Sequence, residues 1–334
     1  MDSHSVDEEQ KGIKKFVNRF RSGSISFKSR PTIDDAETDG FAPLRRNSSP
    51  KGPKSSKGSK KQQQQQHMSF EDLSMAVWNE AYESLRDSPA TAALVVAYES
   101  IIAHELPDYL KTGGMNTSFR NRSAEERLAL LTCIANNGLE KRRGSKTSQV
   151  EEVSRTIIDD CKSAIRHSLT DEPATAIAWA GFCTLTPLLL DPILRLDAMR
   201  VGLFHVTGRI GWYMSLPYLL MRDSWRDDAD FDRLCDKTRD RISRIARKAL
   251  EFEMSCICAT ASAWNAQAKN TVRWSSLEAL VQDLIGMGGE LAQHIDSYAS
   301  DPVAREFLRR DHDFQEQHAG ADADSNGPQS AIVA

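Results

Sequence analysis

Residues 173–190 read PATAIAWAGFCTLTPLLL, eighteen positions without a charge, bracketed by Asp171 and Glu172 in front and Asp191 behind. A stretch this apolar belongs either in a bilayer or in the interior of a helical domain, and the choice decides the class of the chain. At about 20 residues for a ~30 Å hydrocarbon layer, the run is at the short end for a span. Thr175, Thr184 and Thr186 interrupt it, Pro187 breaks its last turn, and its acidic flanks are unlike the Lys/Arg pattern that orients spans. Small residues (Ala174, Ala176, Ala178, Ala180, Gly181) suit close approach of neighbouring helices. Pro173 sits at a first-turn position, where its missing N–H removes no hydrogen bond. The run is therefore expected to be the central helix of a folded helical domain.

Hydrophobic spacing on either side of it is helical throughout. Phe70–Asp87 sets Leu73, Val77, Trp78, Ala81, Tyr82 and Leu85 on one stripe, with Ser69 and Asp72 as a capping pair. Ser88-Pro89 punctuates before Ala90–Leu106, and Ser123 with Glu126 opens Ala124–Arg142 as a second capping box. Gln149–Leu169 is amphipathic. Asp191-Pro192 is expected to start a long helix to about Arg222, kinked at Pro217, followed by a charged amphipathic helix over Asp228–Ala268. Ser276–Ile295 and Pro302–Arg310 complete the set. Neither period-2 alternation between hairpin turns nor a fixed 30–45-residue repeat occurs. The expected fold is all-α, a multi-helix bundle or array of roughly eight to nine helices.

The ends differ in composition from this array. The first 67 residues hold 14 Lys/Arg against 8 Asp/Glu, a net of +6, which leaves −10 on the rest of the chain. Ser-, Gly-, Lys- and Pro-rich tracts fill 22–60, and Gln62–Gln66 follow. Such a segment buries too little apolar surface to offset the entropy of ordering it. Residues 1–67 are thus expected to be a disordered basic tail, 68–310 one helical domain, and 311–334 a second disordered tail. No secretory signal opens the chain, so the expected setting is cytoplasmic, with its six cysteines reduced.

One pattern stands out in the basic tail. Ile13, Phe16, Val17 and Phe20 fall at i, i+3, i+4 and i+7, interleaved with Lys14, Lys15, Arg19 and Arg21. Residues 12–21 read either as a short basic amphipathic helix, for peripheral membrane or partner contact, or as part of the disordered tail. Phosphorylation at Ser22 or Ser48 would cancel positive charge and release such a contact.

Motifs of catalysis and cofactor binding are wanting. Gly138 to Gly144-Ser145-Lys146-Thr147 has the wrong spacing for a phosphate loop and follows a helix. Gly286-x-Gly288-Gly289 lies late in a helix, outside any βαβ unit. Neither G-x-S-x-G nor H-E-x-x-H occurs, and Cys256-x-Cys258 suits neither redox nor zinc chemistry. His205 reads as a partly buried imidazole, and Asp159-Asp160 and Asp227-Asp228 as solvated faces or caps. The tryptophans at 78, 179, 212, 225, 264 and 274 read as core packing rather than a ligand cage. Basic residues at 239, 241, 244, 247 and 248 are interleaved with acids in a net-negative domain, which argues against nucleic acid. No cofactor, metal or small-molecule substrate is expected.

Three phrases carry a family likeness: WNEAYESLRDSPATAALVVAYESIIAHEL (78–106), PATAIAWAGFCTLTPLLLDP (173–192) and VGLFHVTGRIGWYMSLPYLLM (201–221). They resemble the helical N-terminal domain of fungal NWD-type NACHT-NTPases, which are large NOD-like (STAND) receptors. Trp78, Asn79, Ala81, Tyr82, Tyr98 and Glu99 match its first helix pair. Trp179, Gly181, Pro187, Pro192, Gly202, Trp212 and Tyr213 match its central signature. The likeness extends over about 70–300. In that family a NACHT module and repeats follow, whereas here an Ala/Asp/Gln-rich segment does. The resemblance implies a non-enzymatic sensing, signalling or scaffolding domain, orphan or truncated. Its partner would be a protein, either itself or a NACHT-containing receptor. The alternative is a membrane-directed, cell-death-type effector acting through the basic N-terminus.

Overall fold

The computed structural model describes residues 68–104, 106, 108–111, 119, 122–141, 165, 169, 174–181, 197–259 and 263–312. All of these belong to one unit beginning at Met68. Among them the structure is helical; the only extended pairing is an isolated antiparallel bridge between Trp225 and Ala299. The α-helices are α1 (Phe70–Asp87), α2 (Ala92–Ala103), α3 (Ala124–Lys141), α4 (174–181), α5 (Asp197–Gly208), α6 (Ile210–Ser215), α7 (Asp228–Ala259), α8 (Leu277–Tyr298) and α9 (301–312).

The caps follow the sequence. At the start of α1 the Asp72 N–H donates to Ser69 Oγ at 3.2 Å. Before α3 the box closes in both directions: Glu126 N–H donates to Ser123 Oγ at 3.2 Å, and Ser123 N–H to the Glu126 carboxylate at 3.1 Å. Thr91 bridges the turn after Pro89 by donating its hydroxyl to Leu85 O at 2.6 Å.

At the centre is α7, which packs against α1, α2 and α8. Its first half is amphipathic, burying Phe231, Leu234, Thr238, Ile242 and Ile245, while from Ala249 to Ala259 every residue is buried. That change of pattern marks where the helix leaves the surface and enters the core. Described residues of the apolar run lie there too: Ala174 to Gly181 are all buried, and Trp179 donates its indole N–H to Met214 Sδ at 3.5 Å. No described helix is long and apolar enough to cross a membrane.

Two helices are shorter than expected. The segment leading to Arg222 is divided into α5, α6 and the 3-10 turns Leu216–Leu220 and Arg222–Ser224. Its first break falls at Gly208-Arg209, where Arg209 leaves helical geometry (φ −101°, ψ 14°). At Pro217 the chain does not kink within an α-helix; it passes into 3-10 geometry with proline in the first turn, because proline cannot donate to the preceding turn. The charged helix ends at Ala259, and Ala263–Thr271 is 3-10 helix rather than its continuation. Of the expected helix over Gln149–Leu169 only residues 165 and 169 are described, both helical, and α9 runs to residue 312, two residues into the segment expected to be a C-terminal tail. Residues 1–67, 144–147 and 313–334 lie outside the described residues.

Candidate functional site

Tyr82 shares the buried stripe of α1 with Trp78 and Leu85, so its ring reaches α2. There its hydroxyl donates to the Glu99 carboxylate at 3.1 Å, with both residues buried. Burial holds the Glu99 carboxyl above its ordinary range, against the opposing pull of Arg86, the Tyr82 hydrogen bond and Arg127. Burial, and then the Glu99 charge, push the Tyr82 phenol well up. Arg127 of α3 lies over the Tyr82 ring at 5.0 Å and pairs with Glu83, while Arg86 donates to Phe119 O at 3.5 Å. Aromatic, carboxylate and guanidinium groups thus join α1, α2 and α3.

Gly181 explains how α4 sits so near this network. A Cβ there would stand 2.1 Å from Ile257 Cδ1, 2.8 Å from Tyr98 Cε2 and 2.9 Å from Glu253 Oε1. Gly202 does the same for α5, with a Cβ 2.5 Å from the Phe252 ring and 2.7 Å from Val281 Cγ2. Both glycines are places where helices meet backbone to side chain.

A second cluster ties α9 to α5 and α6. Arg209 is 6% exposed, lies over the Trp212 ring at 4.7 Å and forms an ion pair with Asp311. Phe307 packs edge-on to Trp212 at 6.0 Å, and Arg310 donates to Gly211 O at 2.5 Å and to Ser215 Oγ. Burial lowers the Arg209 pKa and raises that of Tyr213.

Two surface clefts lie along α8. One, of about 130 Å³, includes Lys248, Glu251, Arg273 and Asp283, which form the pairs Lys248–Asp283 (2.7 Å) and Arg273–Glu251. The other, of about 310 Å³, runs between α7 (Leu234, Lys237, Arg241) and α8 (Glu290, Gln293, His294, Ser297, Tyr298).

The residues singled out from sequence are therefore mostly core. Trp78, Tyr82, Tyr98, Glu99, Trp179, Gly181, Gly202, Trp212 and Tyr213 are buried, and Asn79 is half-buried on α1. Pro187, Pro192 and the tail residues Ile13, Lys14, Lys15, Phe16, Val17, Arg19 and Phe20 lie outside the described residues. Trp225 is also buried, donating its indole N–H to Leu219 O at 2.9 Å. Trp274 departs from the packing reading at 45% exposed, and the side chain of Trp264 is outside the described set. His205 is buried, edge-on to Tyr213 at 6.4 Å.

Sequence reasoning missed Arg127 and Arg209. Both left a signal: Arg127 is in register with Leu131 and Ile134 on the apolar face of α3, and Arg209 is the only Lys, Arg, Asp or Glu between Arg200 and Arg222. Described thiols are poor nucleophiles, since burial pushes Cys133 and Cys235 to about 11 and Cys258 to about 12. Among the described residues, no group of three or more His, Cys, Asp or Glu is placed to hold a metal ion.

Comparison with known proteins adds one positive finding. A family model described as the N-terminal domain of NWD NACHT-NTPase matches residues 74–307. No match was found among curated proteins or among solved structures.

Proposed function

The chain belongs to the family of N-terminal domains of NWD NACHT-NTPases, and on that premise we propose that it is a non-enzymatic helical module for protein interaction and signalling. The observation that carries this reading is the family match, which extends from α1 into α9. It acts by helix-to-helix contact with a second copy of itself or with a NACHT-containing receptor, in a cytoplasmic setting. Its shape for that task is supplied by the buried Tyr82–Glu99–Arg127 and Arg209–Asp311 clusters, which hold the helices in register. The signature residues serve this architecture and do not react.

Affinity capture from the native cell, combined with mass photometry of the purified chain, tests the reading. The expected outcome is a self-associated species or stoichiometric capture of a NACHT-containing receptor. A monomer that captures nothing beyond a denatured control overturns it.

The basic pattern at Ile13, Phe16, Val17 and Phe20 supports a second proposal, peripheral attachment to anionic membrane through residues 12–21. Flotation with anionic liposomes, with and without residues 1–67, separates the two. Absence of binding by the full chain ends the membrane reading and leaves the interaction reading intact.

A further inference from the structure

Helices α7 and α8 run antiparallel, with rungs at Thr238–His294 (3.0 Å) and Lys248–Asp283 (2.7 Å). Beside the first rung the helices part to leave the 310 Å³ cleft. Lys237 and Arg241 stand one turn apart on its α7 wall, an i, i+4 pair of like charges that disfavours the helix. Among the described residues neither has an ion-pair partner, although Lys248 further along the same helix has Asp283. From α8 come His294 and Gln293, both able to donate to an anion, while Ser297 donates its hydroxyl to Gln293 O at 2.9 Å and Tyr298 adds an aromatic wall.

We propose that this cleft is a binding site for a phosphate monoester, with Lys237 and Arg241 as its charge partners and His294 and Gln293 as switchable and neutral donors. The volume suits one phosphate group and a small attached moiety, at the lower end of ligand pockets. A doubly charged phosphate relieves the Lys237–Arg241 repulsion, and the guanidinium offers it paired N–H donors. Glu290, the one acid lining the cleft, carries a single charge and is exposed. Domain-wide negative charge selects against long polyanions such as nucleic acid while leaving room for a small ester.

His294 reports on occupancy. Burial, and then the Arg241 charge, hold its imidazole below the ordinary value, with Asp230 opposing, so the free site favours the neutral ring. The groups that face it are Thr238, Lys237, Arg241 and Asp230 from α7, Trp225 from the preceding turn, and Glu290 and Tyr298 of its own helix. An anion in the cleft reverses the sign of the field and favours the charged, doubly donating ring.

The test is a histidine NMR titration of the full chain in inorganic phosphate against chloride of matched ionic strength, with His294→Gln assigning the resonance. Phosphate is expected to raise the His294 pKa saturably, by about one unit. Lys237→Gln/Arg241→Gln abolishes the response, with folding checked by thermal melting. Lys237→Gln alone, at an exposed position, weakens it several-fold. Glycerol 3-phosphate and vesicles containing a phosphoinositide distinguish a soluble ester from a lipid headgroup, and saturable binding of either supports the site. A His294 pKa equal in both buffers, or a shift that survives the double substitution, overturns it. The site does not depend on the interaction reading: self-association by mass photometry reports on that separately.

Discussion

Substituting alanine at Gly202 and at Gly286 should change stability in opposite directions, although both glycines lie inside helices. Gly→Ala in an open helical position stabilises by about 1 kcal/mol, since alanine has less backbone freedom to lose. At Gly286 a Cβ meets nothing within 4 Å, so Gly286→Ala should realise most of that gain. At Gly202 the Cβ would be 2.5 Å from two atoms of the Phe252 ring, about 1 Å inside carbon–carbon contact near ~3.5 Å. Phe252 is fully buried in the all-buried half of α7 and has no open side to swing into, while Val281 on α8 blocks lateral escape. Either α5 lifts from both helices or the ring leaves its rotamer, at a cost of about 1–3 kcal/mol. After the helix gain is subtracted, the net loss is about 1 kcal/mol, reaching about 2 if the helices do not yield. For a domain of this size that is roughly 2–8 °C in Tm. Urea and thermal unfolding of the full chain, followed by far-UV circular dichroism, give both values. A Gly202→Ala chain as stable as the unsubstituted one refutes the close-packing argument, and a destabilised Gly286→Ala refutes the claim that open space decides the sign.

Three further outcomes follow from the buried charges and thiols. Glu99 has a raised folded-state pKa, so between its ordinary value of 4.5 and the raised one the native state binds more protons than the unfolded state. Its contribution is therefore fully present below 4.5 and is lost as pH rises through that window; Glu99→Gln, which can still accept from Tyr82, should flatten this part of the stability profile in unfolding curves measured from pH 4 to 7. Asp311→Ala leaves Arg209 buried without its carboxylate and should cost about 1–3 kcal/mol, below the 3–5 of a fully buried pair because Asp311 is partly exposed. Hydrogen exchange should then quicken in 301–312 more than in α1, and equal protection in both would refute the role given to the pair. Finally, Cys133, Cys235, Cys256 and Cys258 should resist iodoacetamide in the native protein and label fully in denaturant, read peptide by peptide; native labelling at Cys256 would contradict its burial.

What was legible from the sequence depended on the range of the interaction. The stripe on α1 and the two Ser caps are local, set by spacings of three and four residues, and the structure reproduces them. The helix ends near Arg222 and Ala268 were misplaced because propensity carries through both segments. Ala263–Thr271 tightens into 3-10 geometry where it packs on α2 and α7, a tertiary fact with no local mark. The signature residues could be named in advance and read as structural, but the contacts that make them so could not, since only the fold brings Phe252 and Val281 against Gly202. The same holds for the cleft: Lys237 and Arg241 belong to a charged face that looks solvated along its whole length. Only the pairing of α7 with α8 shows that Lys248 is neutralised by Asp283 while the two cations nearer His294 are left facing a groove. Such residual imbalances between packed faces appear only once the helices are brought together, so the cation pair at 237 and 241 is where a search for a ligand should begin.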